Sequence, residues 1–184
     1  MSAPQRNLEL KAVDPDPAAT LEAAVALGAH DEGVLHQRDT YFHAVQGRLK
    51  LREARVGGNQ LAELIAYARA DRAEARISSY RVVPVADHLA LIDALSDALG
   101  VRVVVEKARR LLLYENVRIH LDRVADLGDF VELEAFVTGP GGPAAEQPKL
   151  TEVQTALGIV DERLVARSYA DLLERRGSGW LRQV

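Results

Sequence analysis

The stretch Val117-Arg118-Ile119-His120-Leu121-Asp122-Arg123-Val124, followed after a short connection by Phe130-Val131-Glu132-Leu133-Glu134-Ala135, decides the fold. In its first half Val117, Ile119 and Leu121 alternate with Arg118, His120 and Asp122. In its second half Val131, Leu133 and Ala135 alternate with Glu132 and Glu134. A strand sends successive side chains to opposite faces, so both halves read as strands with one apolar and one ionisable face. The intervening Asp126-Leu127-Gly128-Asp129 supplies the turn.

The same pattern recurs in both directions along the chain. Residues 7–13 set Leu8 and Leu10 against Asn7, Glu9 and Lys11, and residues 48–54 set Leu49 and Leu51 against Arg48, Lys50 and Arg52. Residues 101–113 carry Lys107 and Arg109 on one face, and 37–45, 61–69 and 77–85 are further extended stretches. Turns are expected at Gln46-Gly47 and Gly57-Gly58-Asn59. Helices are predicted over 18–29, 87–100, 151–157 and 161–175. The second is the clearest, with Asp87 as cap, Leu89, Ile92, Leu95 and Leu99 as one stripe, and Gly100 as stop. Seven or eight strands with few helices predict an α+β fold built on one dominant antiparallel sheet.

The chain has 184 residues, 48% hydrophobic and 27% charged, with a formal net charge of −4 and no cysteine. That length suits one domain with a sizeable core, expected over residues 1–176 with a tail at 177–184. Without cysteine, disulfides, thiol nucleophiles and thiolate-held zinc or iron–sulfur centres are excluded. No apolar run approaches membrane-span length, and Met1 to Arg6 shows no leader-like apolar core, so a cytoplasmic protein is expected. The acidic total argues against a nucleic-acid partner.

An antiparallel sheet covered on one side alternates apolar and charged residues without any function. The like-sign neighbours Lys50/Arg52, Lys107/Arg109 and Glu132/Glu134 go further, because such pairs repel on a surface selected only for solubility. If the sheet closes with these faces inward, it encloses a charged channel; barrels of ~8 strands can hold one small ligand. Glu9, Asp122, Glu132 and Glu134 are hard oxygen donors suited to Mg²⁺ or Mn²⁺. Lys11, Lys50, Arg52, Arg69, Arg76, Lys107 and Arg109 outnumber them in a chain whose total is −4. A phosphate chain bridged by a divalent metal satisfies both groups.

Glu9-Leu10-Lys11, Asp39-Thr40-Tyr41-Phe42, Gly47-Arg48-Leu49-Lys50-Leu51-Arg52-Glu53, Tyr67-Ala68-Arg69, Lys107-Ala108-Arg109, His120-Leu121-Asp122 and Leu127-Gly128-Asp129-Phe130-Val131-Glu132-Leu133-Glu134, in this order, resemble the CYTH family. That family groups class IV adenylyl cyclases with thiamine triphosphatases and related triphosphate tunnel metalloenzymes. The resemblance extends to Ser168-Tyr169-Ala170-Asp171-Leu172-Leu173. It implies a closed eight-stranded antiparallel β-barrel with flanking helices, binding a triphosphate and Mg²⁺ or Mn²⁺ in its lumen. It also implies metal-binding and catalytic roles for Glu9, Asp122, Glu132 and Glu134, and phosphate-binding roles for Lys11, Lys50, Arg52, Arg69, Lys107 and Arg109. Arg76 lies where many members have lysine. The family's opening motif is commonly Glu-x-Glu-x-Lys, and here its first acidic position is Asn7. The amide oxygen can coordinate a hard cation but brings no charge, so weaker or altered binding of one metal is expected.

Other candidates carry less. The five histidines form no paired-ligand spacing, and His120 is expected at the channel rim or in solvent. Gly177-Ser178-Gly179 is no nucleophile elbow, and no P-loop or GxGxxG is present. Tyr169 and Trp180 read as packing residues, and 139–148 as a connector. The expected activity is metal-dependent hydrolysis of a triphosphate such as ATP, tripolyphosphate or thiamine triphosphate. The alternatives are cyclisation of ATP to cyclic AMP and pyrophosphate, and a non-catalytic nucleotide or polyphosphate sensor. A homodimer remains open.

Overall fold

The computed structural model describes residues 4–56, 58–137, 139 and 141–180. Its eight strands are β1 (Gln5–Val13), β2 (His30–Phe42), β3 (Arg48–Val56), β4 (Asn59–Arg69), β5 (Arg76–Pro84), β6 (Val101–Tyr114), β7 (Val117–Val124) and β8 (Gly128–Phe136). They close into one barrel in the order β1-β5-β4-β3-β2-β6-β7-β8. Every neighbouring pair is antiparallel, and β8 returns to β1 with Glu9 opposite Glu134 and Lys11 opposite Glu132. Closure leaves no sheet edge unpaired.

The helices are α1 (Pro17–Leu27), α2 (His88–Leu99), α3 (Gln147–Ala156) and α4 (Tyr169–Trp180). Asp16 caps α1 by accepting from the Ala19 amide at 3.1 Å, and Asp87 caps α2 through the Ala90 amide at 3.1 Å. The closed eight-stranded antiparallel barrel is the architecture expected from the resemblance.

Three boundaries differ from the reading of the sequence. Strand β2 begins at His30, because Gly33, at φ +92°, lets it bulge past β6 and continue. Helix α3 starts at Gln147, four residues early. The helix predicted over 161–175 divides. Asp161–Arg163 form a 3₁₀ turn, Leu164 bridges Ala12, the Val165 amide donates to the Lys11 carbonyl at 2.8 Å, and α4 begins only at Tyr169. Backbone hydrogen bonds to β1 outweigh local helix preference there. Gly177-Ser178-Gly179 falls in the last turn of α4, and residues 181–184 of the expected tail lie outside the described residues.

The barrel is inverted with respect to an ordinary apolar-cored one. Leu8, Leu10, Leu112, Ile119 and Leu133 point outward and are buried under α1 and α3 against Leu150 and Val153. Each such fully buried side chain contributes about 1.5–3 kcal/mol, so the stabilising apolar core lies outside the barrel wall. A second cluster of Tyr41, Val105, Val124, Phe130, Tyr169 and Ala170 seals the barrel end where β1 finishes.

Candidate functional site

The inward faces surround a cavity of about 400 Å³. From β1 come Asn7, Glu9 and Lys11, from β2 Asp39 and Tyr41, and from β3 Lys50 and Arg52. Arg69 of β4, Lys107 and Arg109 of β6, and Glu132 and Glu134 of β8 complete the charged lining. Alternation fixes this arrangement: once Leu8, Leu10, Ile119 and Leu133 are buried outside, every second residue must face inward.

The cavity has one blocked end. Ser168 and Tyr169 line it from α4. The Tyr169 hydroxyl donates to Asp122 Oδ2 at 2.9 Å, and its ring lies 3.6 Å from Lys11 Nζ and 5.1 Å from the Phe130 ring. Asp171, in the first turn of α4, accepts from Arg48 at 3.0 Å and Arg102 at 2.6 Å, fastening the plug to β3 and β6. At the opposite end Gln5, Val82 and Arg118 are exposed beside half-buried Glu63, Tyr80 and Phe136, so the cavity opens there.

Of the eleven expected residues the structure places nine on the cavity lining, and it joins Asp122 and Arg76 to them through ion pairs. Asp122 lies behind the lining, with Oδ1 accepting from Arg109 Nε at 2.6 Å. Its Oδ2 takes Arg109 Nη2 at 2.6 Å, Lys107 at 3.2 Å and the Tyr169 hydroxyl at 2.9 Å. Arg109 reaches on to Glu132 Oε2 at 2.6 Å, while Lys11 Nζ stands 3.4 Å from Glu132 Oε1. Glu9 accepts from Arg69 at 2.9 Å. Arg76 is the eleventh: its Nε lies 3.4 Å from Glu9, but its Nη1 donates to the Arg72 and Val165 carbonyls. It therefore braces the plug rather than lining the cavity.

Five further participants were given no site role by the reading of the sequence. Asp39 accepts from Lys50 at 2.7 Å and Arg52 at 2.8 Å, which makes it the counter-charge of that wall. Tyr41 and Tyr67 approach hydroxyl to hydroxyl at 3.4 Å inside the lumen. Tyr169 is a packing residue as expected and also a hydrogen-bond donor to the site. His120 is 4% exposed, not at the rim or in solvent, because it is paired with Glu132 across β7 and β8. One ring nitrogen and one oxygen each of Glu132 and Glu134 all lie within 4.8 Å of one another.

Confinement controls the charges. Burial pushes Lys50 down to about 7, with Arg52 adding repulsion against the pull of Asp39. Burial likewise lowers Lys11 to about 8, opposed by Glu132. Burial alone would raise Asp39 and Glu132, but the cations beside them hold both carboxyls well below the usual range. Glu9 goes the other way: burial, with Glu132 and Glu134 nearby, raises it despite Arg69.

The residues present fit a divalent metal. Glu134 has no hydrogen-bond or ion-pair partner among the described residues. Glu134 is half-buried, and on the same wall two buried polar atoms, Asn7 Oδ1 and His120 Nδ1, are without a hydrogen bond. Buried polar atoms of this kind are rare unless a water or ion completes them.

The PH1012 protein from Pyrococcus horikoshii OT3 shares this fold at 22% identity, over 90% of this chain and 98% of its own, with a TM-score of 0.77. The PH1819 protein of the same organism is 23% identical over 92% of this chain and 99% of its own, at 0.74. The Hippeastrum protein HpAC1, described as an adenylyl cyclase candidate with a dominant triphosphatase activity, is 15% identical over 93% of this chain and 96% of its own, at 0.58. No curated protein sequence is significantly similar to this one. The CYTH domain pattern, by contrast, matches residues 5–169. Its span takes in every strand and the first residue of the plugging helix, and the chain therefore belongs to the CYTH family.

Proposed function

We propose that the protein is a metal-dependent triphosphatase that draws a triphosphate into its barrel and hydrolyses it to release phosphate. The observation that carries this reading is the convergence of Lys11, Lys50, Arg52, Arg69, Lys107 and Arg109 on one cavity that they share with Glu9, Glu132 and Glu134. The HpAC1 relative, whose dominant activity is given as triphosphatase, supports hydrolysis over cyclisation.

Lys50 and Arg52 on β3, with Lys107 and Arg109 on β6, grip non-bridging oxygens of the phosphate chain. Lys11 and Arg69 do so from β1 and β4. These groups stabilise charge on the equatorial and leaving oxygens as water adds to phosphorus and the bridging P–O bond breaks. Glu9, Glu132 and Glu134 would hold the metal, while Asp122 orients Arg109 and Lys107 from behind. A bound divalent ion such as Mg²⁺ or Mn²⁺ supplies Lewis acidity to the phosphoryl group and makes water a better nucleophile at neutral pH. Tyr169 keeps bulk water from the deep end.

Incubating the pure protein with Mg²⁺ or Mn²⁺ and ATP, tripolyphosphate or thiamine triphosphate, and assaying all products, tests the reading. Release of orthophosphate is the expected result. Cyclic AMP with pyrophosphate would make it a cyclase, and tight binding without turnover a sensor.

A further inference from the structure

We propose that His120 is a direct metal ligand, making with Glu132 and Glu134 a mixed nitrogen–oxygen site that takes a first-row transition ion in preference to Mg²⁺. The inference rests on the triphosphate-tunnel reading and deepens it by naming the ligand set.

Three observations converge. The His120 ring nitrogen and the two carboxylates already lie within 4.8 Å of one another, close enough for small side-chain shifts to place one ion among them. His120 Nδ1 is buried yet makes no hydrogen bond, its nearest carboxylate oxygen, Glu132 Oε2, standing 3.8 Å away. A metal-bound imidazole ordinarily shows one nitrogen facing the ion rather than a protein acceptor. Glu134, opposite Glu9 on the next strand, keeps its carboxylate unpaired among the described residues.

The acidic residue nearest in sequence does not compete for this role. Asp122 receives Arg109 on both oxygens and Lys107 and Tyr169 on one. Both of its oxygens are thus held at 2.6 Å by Arg109, whereas Glu132 meets Arg109 through Oε2 alone and Lys11 stands 3.4 Å from its Oε1. His120 stands outside the cavity lining, while Glu132 and Glu134 belong to it. Imidazole suits transition ions, whereas Mg²⁺ prefers oxygen ligands and sheds water reluctantly. The nitrogen donor is therefore what discriminates.

Mn²⁺ provides the probe. Metal-free protein is titrated with Mn²⁺ and separately with Mg²⁺, and the Mn²⁺ complex is examined by electron spin-echo spectroscopy for ¹⁴N coupling to an imidazole. The expected result is clear ¹⁴N modulation in the wild type. In His120→Gln the modulation disappears and Mn²⁺ affinity falls at least ~10-fold, while Mg²⁺ affinity changes far less. Bound Mn²⁺ without nitrogen coupling would overturn the proposal and leave the triphosphatase reading standing, as would equal losses of both ions in His120→Gln. Failure of Mn²⁺ to bind at all would overturn both. Should His120→Gln not fold, the wild-type spectrum decides alone.

Discussion

Arg109 donates to Asp122 and Glu132 at once, each at 2.6 Å from the same Nη2 atom, and so ties the buried carboxylate of β7 to that of β8. Arg109→Ala leaves two buried carboxylates short of a counter-charge. A loss of about 3–5 kcal/mol is expected, read as a shifted urea midpoint with unchanged slope. Arg109→Lys keeps the charge without the planar fork and should fall between the two.

Glu132 and Glu134 separate function from stability. Glu134 has no partner to lose, so Glu134→Gln should leave stability within about 0.5 kcal/mol of wild type while metal-dependent phosphate release drops sharply. Glu132→Ala should abolish release in a protein whose circular dichroism still reports the barrel. Normal turnover in a folded Glu132→Ala protein would contradict the metal role of that wall.

Length of the phosphate chain should matter for the basic wall. Lys50→Ala and Arg52→Ala each remove one partner of Asp39 and one proposed contact to the chain. Tripolyphosphate affinity is expected to fall about tenfold or more in each, the equivalent of ~1.4 kcal/mol, with orthophosphate affinity changing little. Calorimetric titration of both ligands checks this, and parallel losses would count against a linear series of contacts.

Lys50 near 7 and Lys11 near 8 make binding proton-linked. An arriving polyanion favours their charged forms, so at pH 8 binding should take up protons, and affinity should fall as pH rises from about 7 to 9. Calorimetry in buffers of different ionisation enthalpy measures the uptake directly. The same depression has the opposite sign for folding. Between the native value and the ordinary lysine value of 10.5 the unfolded chain binds more protons, so these two residues make ligand-free stability rise with pH across that window.

Tyr169 combines a hydrogen bond with a plug. Tyr169→Phe should cost about 1 kcal/mol for the lost donor to Asp122. Tyr169→Ala should cost about 3–5 kcal/mol by cavity formation. Thermal melts order the two variants, and equal effects would show that the ring, not the hydroxyl, does nothing for the seal.

The strands whose outer faces are apolar were legible in the sequence, because Leu8/Leu10, Ile119/Leu121 and Leu133/Ala135 contrast sharply with the ionisable residues between them. Asp39 was not assigned a role, since its strand alternates polar with polar: Arg38 and Glu53 pair on the outside at 3.7 Å while Asp39 and Arg52 pair within. Nothing in such a stretch says which face is which. His120 shares its face with Asp122, but only the β7–β8 register, which sets it opposite Glu132, shows that it is buried. The segment 161–168 defeated periodicity altogether, because its conformation is dictated by β1, some 150 residues earlier in the chain.

Because Tyr169 and its helix shut the far end of the barrel, traffic through it is two-way along a single corridor. A linear substrate must enter tip first, and whichever fragment lies deepest leaves last. On the proposed reading, products would depart in the order in which they lie along that corridor.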